Sequence, residues 1–202
     1  MLENYQGGAM QKFEIHKGRA VALWCDNIDT DQLIPKTYLK RIEKSGFGEF
    51  LFDDWRYNKD RSLNKNFVLN APENQGASIL VTGENFGSGS SREHAVWALM
   101  DYGFAVIIAG SFSDIFYNNA IKNALLPISL PLEVRKHFAK GEVEVDLRDQ
   151  VVRAGDFRVK FEIDPKWKQR LLLGLDEIAI TLKHLPAIES YEQNIPKYWQ
   201  DY

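Results

Sequence analysis

Ser78-Ile79-Leu80-Val81-Thr82-Gly83-Glu84-Asn85-Phe86-Gly87-Ser88-Gly89-Ser90-Ser91-Arg92-Glu93-His94-Ala95 passes from an aliphatic run through a glycine-punctuated stretch into a helical pattern. Ile79-Leu80-Val81 between two hydroxyl residues reads as a short strand buried on both faces. Gly83, Gly87 and Gly89 then mark a loop over 83–91. Ala95, Trp97, Ala98, Leu99 and Met100 follow without a breaker until Gly103, which predicts a helix. Ser90 and Glu93 stand three residues apart, the spacing of a capping box, so the helix is expected to start near Ser90.

Working outward, Ala105–Ala109 repeats the buried-strand pattern, Ser113–Leu125 reads as a helix, and Pro127–Leu130 as a third strand. Strands alternating with helices imply crossovers packed on a parallel sheet. Upstream, Val21–Trp24 is another strand, ended by the polar cluster Asp26–Asp31. Pro35 permits a short helix over Thr37–Glu43, Phe47–Arg56 is dense in aromatics and acids, and Phe67–Leu69 reads as a further strand. Beyond Pro131 a short helix spans Leu132–Phe138. Glu142–Leu147 and Phe157–Ile163 alternate apolar and polar residues with Val151-Val152 between them, which predicts small antiparallel strands forming a second layer. Pro165 opens a helix that is interrupted at Gly174 and expected to resume over Leu175–His184 until Pro186. Ile188–Tyr202, with Tyr191, Tyr198, Trp199 and Tyr202, reads as a terminal helix docked on the body. The fold class is therefore α/β: a parallel core, an added antiparallel β layer and C-terminal helices in one domain over residues 10–202. Met1–Ala9 precedes a second methionine, Met10, and reads as an expression remnant.

Composition narrows the function. Twenty-five basic against 28 acidic residues give a net charge of −3 over 202 residues, unlike a nucleic-acid binder or a protein of anionic membrane surfaces. The single cysteine, Cys25, excludes a disulfide framework, a four-thiolate zinc site and a self-contained iron–sulfur cluster. No apolar run approaches the roughly 20 residues of a membrane span, so a soluble, cytoplasmic protein is expected.

A strand feeding a glycine-rich loop into a helix N-terminus is suited to anions, because unpaired N–H groups and the helix dipole point outward there. Arg92 in the first turn adds a planar fork for a carboxylate or phosphate. An arginine at the positive end of a helix is otherwise unfavourable, which favours a compensating anion. The loop lacks the Gly-Lys-Ser/Thr ending of a nucleoside-triphosphate loop, and Arg92 replaces the third glycine of a dinucleotide fingerprint. A small carboxylate fits better.

Gly89-Ser90-Ser91-Arg92-Glu93-His94-Ala95 resembles the catalytic motif in the swivelling β/β/α domain of the aconitase superfamily. Asp29-Thr30-Asp31 is similar to the Thr-Asp turn near the start of that domain. Gly110–Phe116 and Asn118–Pro127 are similar to its downstream strand–helix junction and helix. Phe47-Gly48 through Phe52-Asp53-Asp54-Trp55-Arg56 resembles one branch of the superfamily, the small subunits of 3-isopropylmalate dehydratases, and the likeness runs from about Met10 to Tyr202. The resemblance implies a hydro-lyase that interconverts 2- and 3-isopropylmalate through isopropylmaleate in leucine biosynthesis. It implies a partner, the large subunit, that carries a 4Fe–4S cluster, with no cofactor or metal bound by this chain. It also implies roles: Ser90 as catalytic alkoxide base, Ser91 and Arg92 as holders of the substrate carboxylate, and Asp31 as an acid that orients a cationic group. The segment after the Thr-Asp turn, with Tyr38 and Leu39, is expected to select the substrate by an apolar wall.

Plainer readings stand beside these. Ser90 alone is a helix cap, Asp29 and Asp31 form an Asx turn, Arg92 pairs with Glu93 or Asp114, and Cys25 is a small buried residue. Phe52-Asp53-Asp54-Trp55 either meets a partner or forms an aromatic satellite core. His94 has no second histidine at ligand spacing and reads as structural. Alternative functions are a small subunit acting on homoaconitate, methylcitrate or citraconate-type acids, or a non-catalytic carboxylate-binding module.

Overall fold

The computed structural model describes residues 10–40, 45–175, 181 and 185–194. Seven strands make one sheet: β1 (Ile15–Leu23), β2 (Ile79–Thr82), β3 (Val106–Ala109), β4 (Leu126–Ser129), β5 (Lys140–Asp146), β6 (Val151–Ala154) and β7 (Phe157–Lys160). Their order across the sheet is β4-β3-β2-β1-β5-β6-β7. The first four run parallel, with Ala20, Ile79, Val106 and Leu126 in one row and Val21, Leu80, Ile107 and Pro127 in the next. On its other edge β1 pairs antiparallel with β5, from Ile15↔Asp146 to Val21↔Lys140. The antiparallel strands therefore extend the same sheet through β1. Alternation in the sequence marks a half-buried strand but not its neighbour, and the nine residues of β1 leave a full edge for β5 after β2 has taken the other.

Side chains alternate across the sheet, so the two rows serve opposite faces. Val21, Leu80 and Ile107 pack with Ala95, Val96 and Leu99 of α3 (Glu93–Tyr102), with Phe116 and Ala120 of α4 (Asp114–Lys122), and with the aromatic lobe Phe47, Phe50, Phe52 and Phe67. Ala20, Ile79, Val81, Val106 and Ile108 pack with Phe138, Val143, Val145, Val152 and Leu171. All four positions of both β2 and β3 are buried, as their unbroken aliphatic runs require.

Five further helices are described: α1 (Thr30–Leu33), α2 (Asp53–Arg56), α5 (Leu132–Arg135), α6 (Pro165–Leu173) and α7 (Leu185–Gln193). Phe67–Leu69 is not a strand; Val68–Asn70 is a 3-10 turn that buries its own Leu69 and the preceding Phe67 in the aromatic lobe. With three residues and no unpaired edge beside them, packing decides. The segment after Pro35 is a 3-10 helix, Lys36–Lys40, and the expected continuation to Glu43 lies outside the described residues. Helix α4 stops at Lys122, because Ala124 takes a left-handed φ of 66° that turns the chain into β4. Pro186 sits in the first turn of α7, where a missing N–H costs nothing, so it opens a helix instead of closing one. Most of the helix expected over Leu175–His184, together with Met1–Ala9, Tyr198, Trp199 and Tyr202, lies outside the described residues.

Candidate active site

The turns that follow β1, β2, β3 and β4 gather at one end of the sheet, the C-terminal end of its parallel strands, where open α/β folds place their ligands. The loop after β2 is pinned on both flanks. Toward the β1 turn, Gly87 N donates to Ile28 O at 2.7 Å and Thr30 N to Ser88 O at 2.9 Å. Toward the β3 turn, Phe86 N donates to Ser111 O and Ser113 N to Phe86 O, each at 3.0 Å. Ser113 Oγ adds a hydrogen bond to Gly87 O at 2.6 Å. Gly87 has a φ of +74°, and a Cβ there would collide with the Phe116 ring, so only glycine lets the loop lie this close to α4.

Ser90 and Ser91 emerge from this clamp exposed, while the Ser90 carbonyl is fixed by Thr30 Oγ1 at 2.9 Å. Arg92 turns inward and is only 7% exposed. Its Nη1 donates to Asp31 Oδ1 at 2.5 Å and to Ile34 O at 3.5 Å. Lys36 Nζ stands 3.7 Å from the other Asp31 oxygen. The hydrogen bond from Arg92, aided by the charges of Arg92 and Lys36, holds the Asp31 carboxyl below the usual carboxylate range against a weaker opposing effect of desolvation.

The helix start differs from expectation. Arg92, extended at φ −141° and ψ 107°, is the N-cap of α3, and no side chain caps it. Ser90 is thus two residues too early to cap, and Glu93 Oε1 instead accepts from Asn123 Nδ2 at 2.9 Å. The capping box lies in α1, where Asp29 Oδ1 accepts from Gln32 N at 2.7 Å and Asp29 N donates to Gln32 Oε1 at 2.8 Å. Consequently the first turn of α3 keeps orphan N–H groups and the positive end of its dipole, directly after two exposed serines.

Residues 10–133 match the model of the aconitase C-terminal domain family. A relative named 3-isopropylmalate dehydratase small subunit, from Bacillus anthracis, is 56% identical over 193 residues, covering 94% of this chain and all of its own. This chain belongs to the aconitase C-terminal domain family. A Bacillus cereus relative of the same name is 55% identical over 190 residues, 92% of this chain and 98% of its own. The crystal structure of a 3-isopropylmalate dehydratase from Methanocaldococcus jannaschii superposes with a TM-score of 0.66 at 30% identity, covering 88% of this chain and 99% of that one.

Within this aconitase-type domain, Asp31 and Arg92 are brought together from opposite sides of the loop, beside Ser90 and Ser91. Tyr38 and Leu39 belong to the aromatic lobe: the Tyr38 ring stacks on Phe50 at a centroid distance of 3.9 Å, and its hydroxyl donates to Asp53 Oδ2 at 3.2 Å. Asp53 also takes both its oxygens to Arg61 Nη1, at 2.7 and 2.8 Å. Phe52 stacks on Trp55 and Phe67 meets both rings at an angle, so aromatic core packing, continuous with the helix-covered face of the sheet, accounts for Phe52 and Trp55. His94 packs edge-on against Phe47 at 5.3 Å and beside Trp97 at 4.7 Å, a structural histidine. Among the described residues, no group of three or more His, Cys, Asp or Glu side chains is placed to hold a metal ion, and no helix is long and apolar enough to cross a membrane. Sequence reasoning named Thr30 only as part of the Thr-Asp turn, without a role, and did not single out Lys36. Thr30 sits between the two aspartates of the turn and Lys36 one turn beyond, and their spacing from Asp31 was the available signal.

Proposed function

We propose that this chain is the small subunit of a 3-isopropylmalate dehydratase and supplies the base and the carboxylate-holding groups of its site. The observation that carries this is an exposed serine pair at an uncapped helix N-terminus, beside a buried arginine anchored on Asp31. The isomerisation removes a proton from a carbon next to a carboxylate and hydroxide from the neighbouring carbon. Water then returns to the double bond of isopropylmaleate in the opposite sense. Ser90 Oγ, as alkoxide, takes the proton and returns it on rehydration. An alkoxide needs a fixed positive field, and the start of α3 with Arg92 provides one without reorganisation.

Ser91 and Arg92 hold the carboxylate. The hydrogen bonds Arg92 makes among the described residues run through Nη1 alone, leaving Nε and Nη2 for a ligand. Asp31 orients that fork from behind. Tyr38 and Leu39 form the apolar wall of the segment that selects the substrate; the Asp53 anchor on the Tyr38 hydroxyl supports a fixed shape for it.

In this family a 4Fe–4S cluster assists departure of the hydroxyl. This chain does not fit such a cluster, because iron–sulfur centres are held by several thiolates and Cys25 stands alone. We therefore place the cluster on a large-subunit partner, which also covers the exposed serines and excludes water from the reaction. The test is hydration of isopropylmaleate by this chain mixed anaerobically with a cluster-loaded large subunit, with each alone as control. Turnover only in the mixture supports the reading. Silence with a large subunit proved competent by its own small subunit would redirect it to another diacid or to carboxylate binding. Ser90→Ala should abolish turnover while the subunits still assemble; retained turnover refutes the base assignment.

A further inference from the structure

The serine loop is rooted at Glu84, where the chain leaves β2. Glu84 N donates to Asp26 Oδ1 at 2.7 Å, and Glu84 O accepts from Asn27 N at 2.8 Å. One carboxylate oxygen receives Arg135 Nη2, and the other receives Ser111 Oγ at 3.3 Å. The same Ser111 Oγ accepts from Asn85 N at 2.8 Å. Arg135, on α5, is 1% exposed, and its Nη1 donates to the carbonyl of Thr82, the last residue of β2. Gly110 completes the cluster, since a Cβ there would occupy the place of the Glu84 carboxylate. Glu84 thus ties together the turns that follow all four parallel strands, the β1 turn through its backbone and the β3 and β4 turns through its carboxylate.

Stability alone does not account for it. The Arg135 guanidinium is taken out of water at a cost, whereas the Glu84 side chain is 52% exposed, so water screens much of what their attraction returns. What the pair supplies is position. Asn85, immediately after Glu84, holds a left-handed φ of 53°, a conformation asparagine adopts more readily than most residues, and its Nδ2 donates to Asn27 Oδ1 at 2.8 Å, which fixes it there. Gly87 and Gly89 beyond it are also left-handed and offer the loop little stiffness of their own. The Ser90 hydroxyl makes no hydrogen bond among the described residues, so its place follows from the backbone that carries it.

We propose that the Glu84–Arg135 pair is a positioning clamp that sets the height of the Ser90 loop over the substrate, contributing to the rate and not to substrate affinity. The inference rests on Ser90 being the base. Its test uses the double variant Glu84→Gln/Arg135→Met, which removes both charges and strands neither. In the complex with the large subunit, kcat per assembled enzyme should fall about ten- to hundredfold, as small misplacements do, with KM within twofold of wild type. In the isolated chain, amide hydrogen exchange over residues 85–91 should rise about tenfold, with α3 unchanged. Gly110→Ala, which displaces the Glu84 carboxylate and leaves Arg135 intact, should reproduce both effects if the double variant fails to fold. Unchanged exchange at 85–91, or wild-type kcat despite faster exchange, overturns the clamp. Retained turnover in Ser90→Ala would instead overturn the base assignment, and the exchange result needs no partner to read.

Discussion

At Asp31 the two oxygens face different cations, Arg92 within the protein and Lys36 at its surface. A carboxyl whose pKa is depressed on folding contributes stability that is fully present above its unfolded value and is lost as pH falls through the folded one. Asp31→Asn should therefore cost the same stability from neutral pH down to about pH 5, and the gap from wild type should close below about pH 4. Urea titrations at a series of pH values read this directly; a gap independent of pH would mean that the pair with Arg92 contributes nothing. The effect is modest, since the carboxylate side chain is 46% exposed and water screens it. That Asp31 and Arg92 belong to one site was legible only through the motifs they sit in. Sixty-one positions separate them, and no periodicity connects residues at that distance.

Among the elements, α4 and its cap couple the loop to the core. Ser113 Oγ accepts from Phe116 N at 3.3 Å and donates to Gly87 O at 2.6 Å, so one hydroxyl both caps the helix and pins the glycine turn. Ser113→Ala should destabilise the protein by about 1–2 kcal/mol in denaturant unfolding, the range of a lost cap, and should lower kcat more than it changes KM. The sequence reading put Ser113 at the start of the helix Ser113–Leu125, and the structure makes it the cap, with the helix beginning at Asp114. The cap assigned to Ser90 failed although its spacing to Glu93 was right. Arg92 is drawn into the extended region by its bond to Asp31, and the helix cannot begin before that residue. Local spacing finds caps where tertiary contacts do not compete. For the same reason Glu84 and Arg135 drew no notice in the sequence: an ion pair between a loop and the end of a distant short helix has no pattern in either.

Taken whole, the molecule depends on β1, the strand shared by the parallel limb and the antiparallel limb. A chain ended at Ala139 keeps all residues of the family match yet loses the β5 edge and the face built from Val143, Val145, Val152 and Leu171. It should show no cooperative thermal transition by calorimetry, whereas the full chain should; a sharp transition in the truncated chain would mark the parallel limb as a separate folding unit. Both limbs were visible in the sequence as short strands with the right alternation. Their union in one sheet was not, because pairing partners lie far apart along the chain. Ala20 meets Ile79 and Ile15 meets Asp146. On the ribosome that ordering has a cost in time: at about 5–20 residues per second the first strand to be made waits roughly ten seconds for its last neighbour. Meanwhile the nascent chain carries an unpartnered edge open to other chains. His16, Lys17 and Arg19, interleaved with Gly18 along the first half of that strand, are the kind of charged and small residues that discourage strands of different chains from annealing.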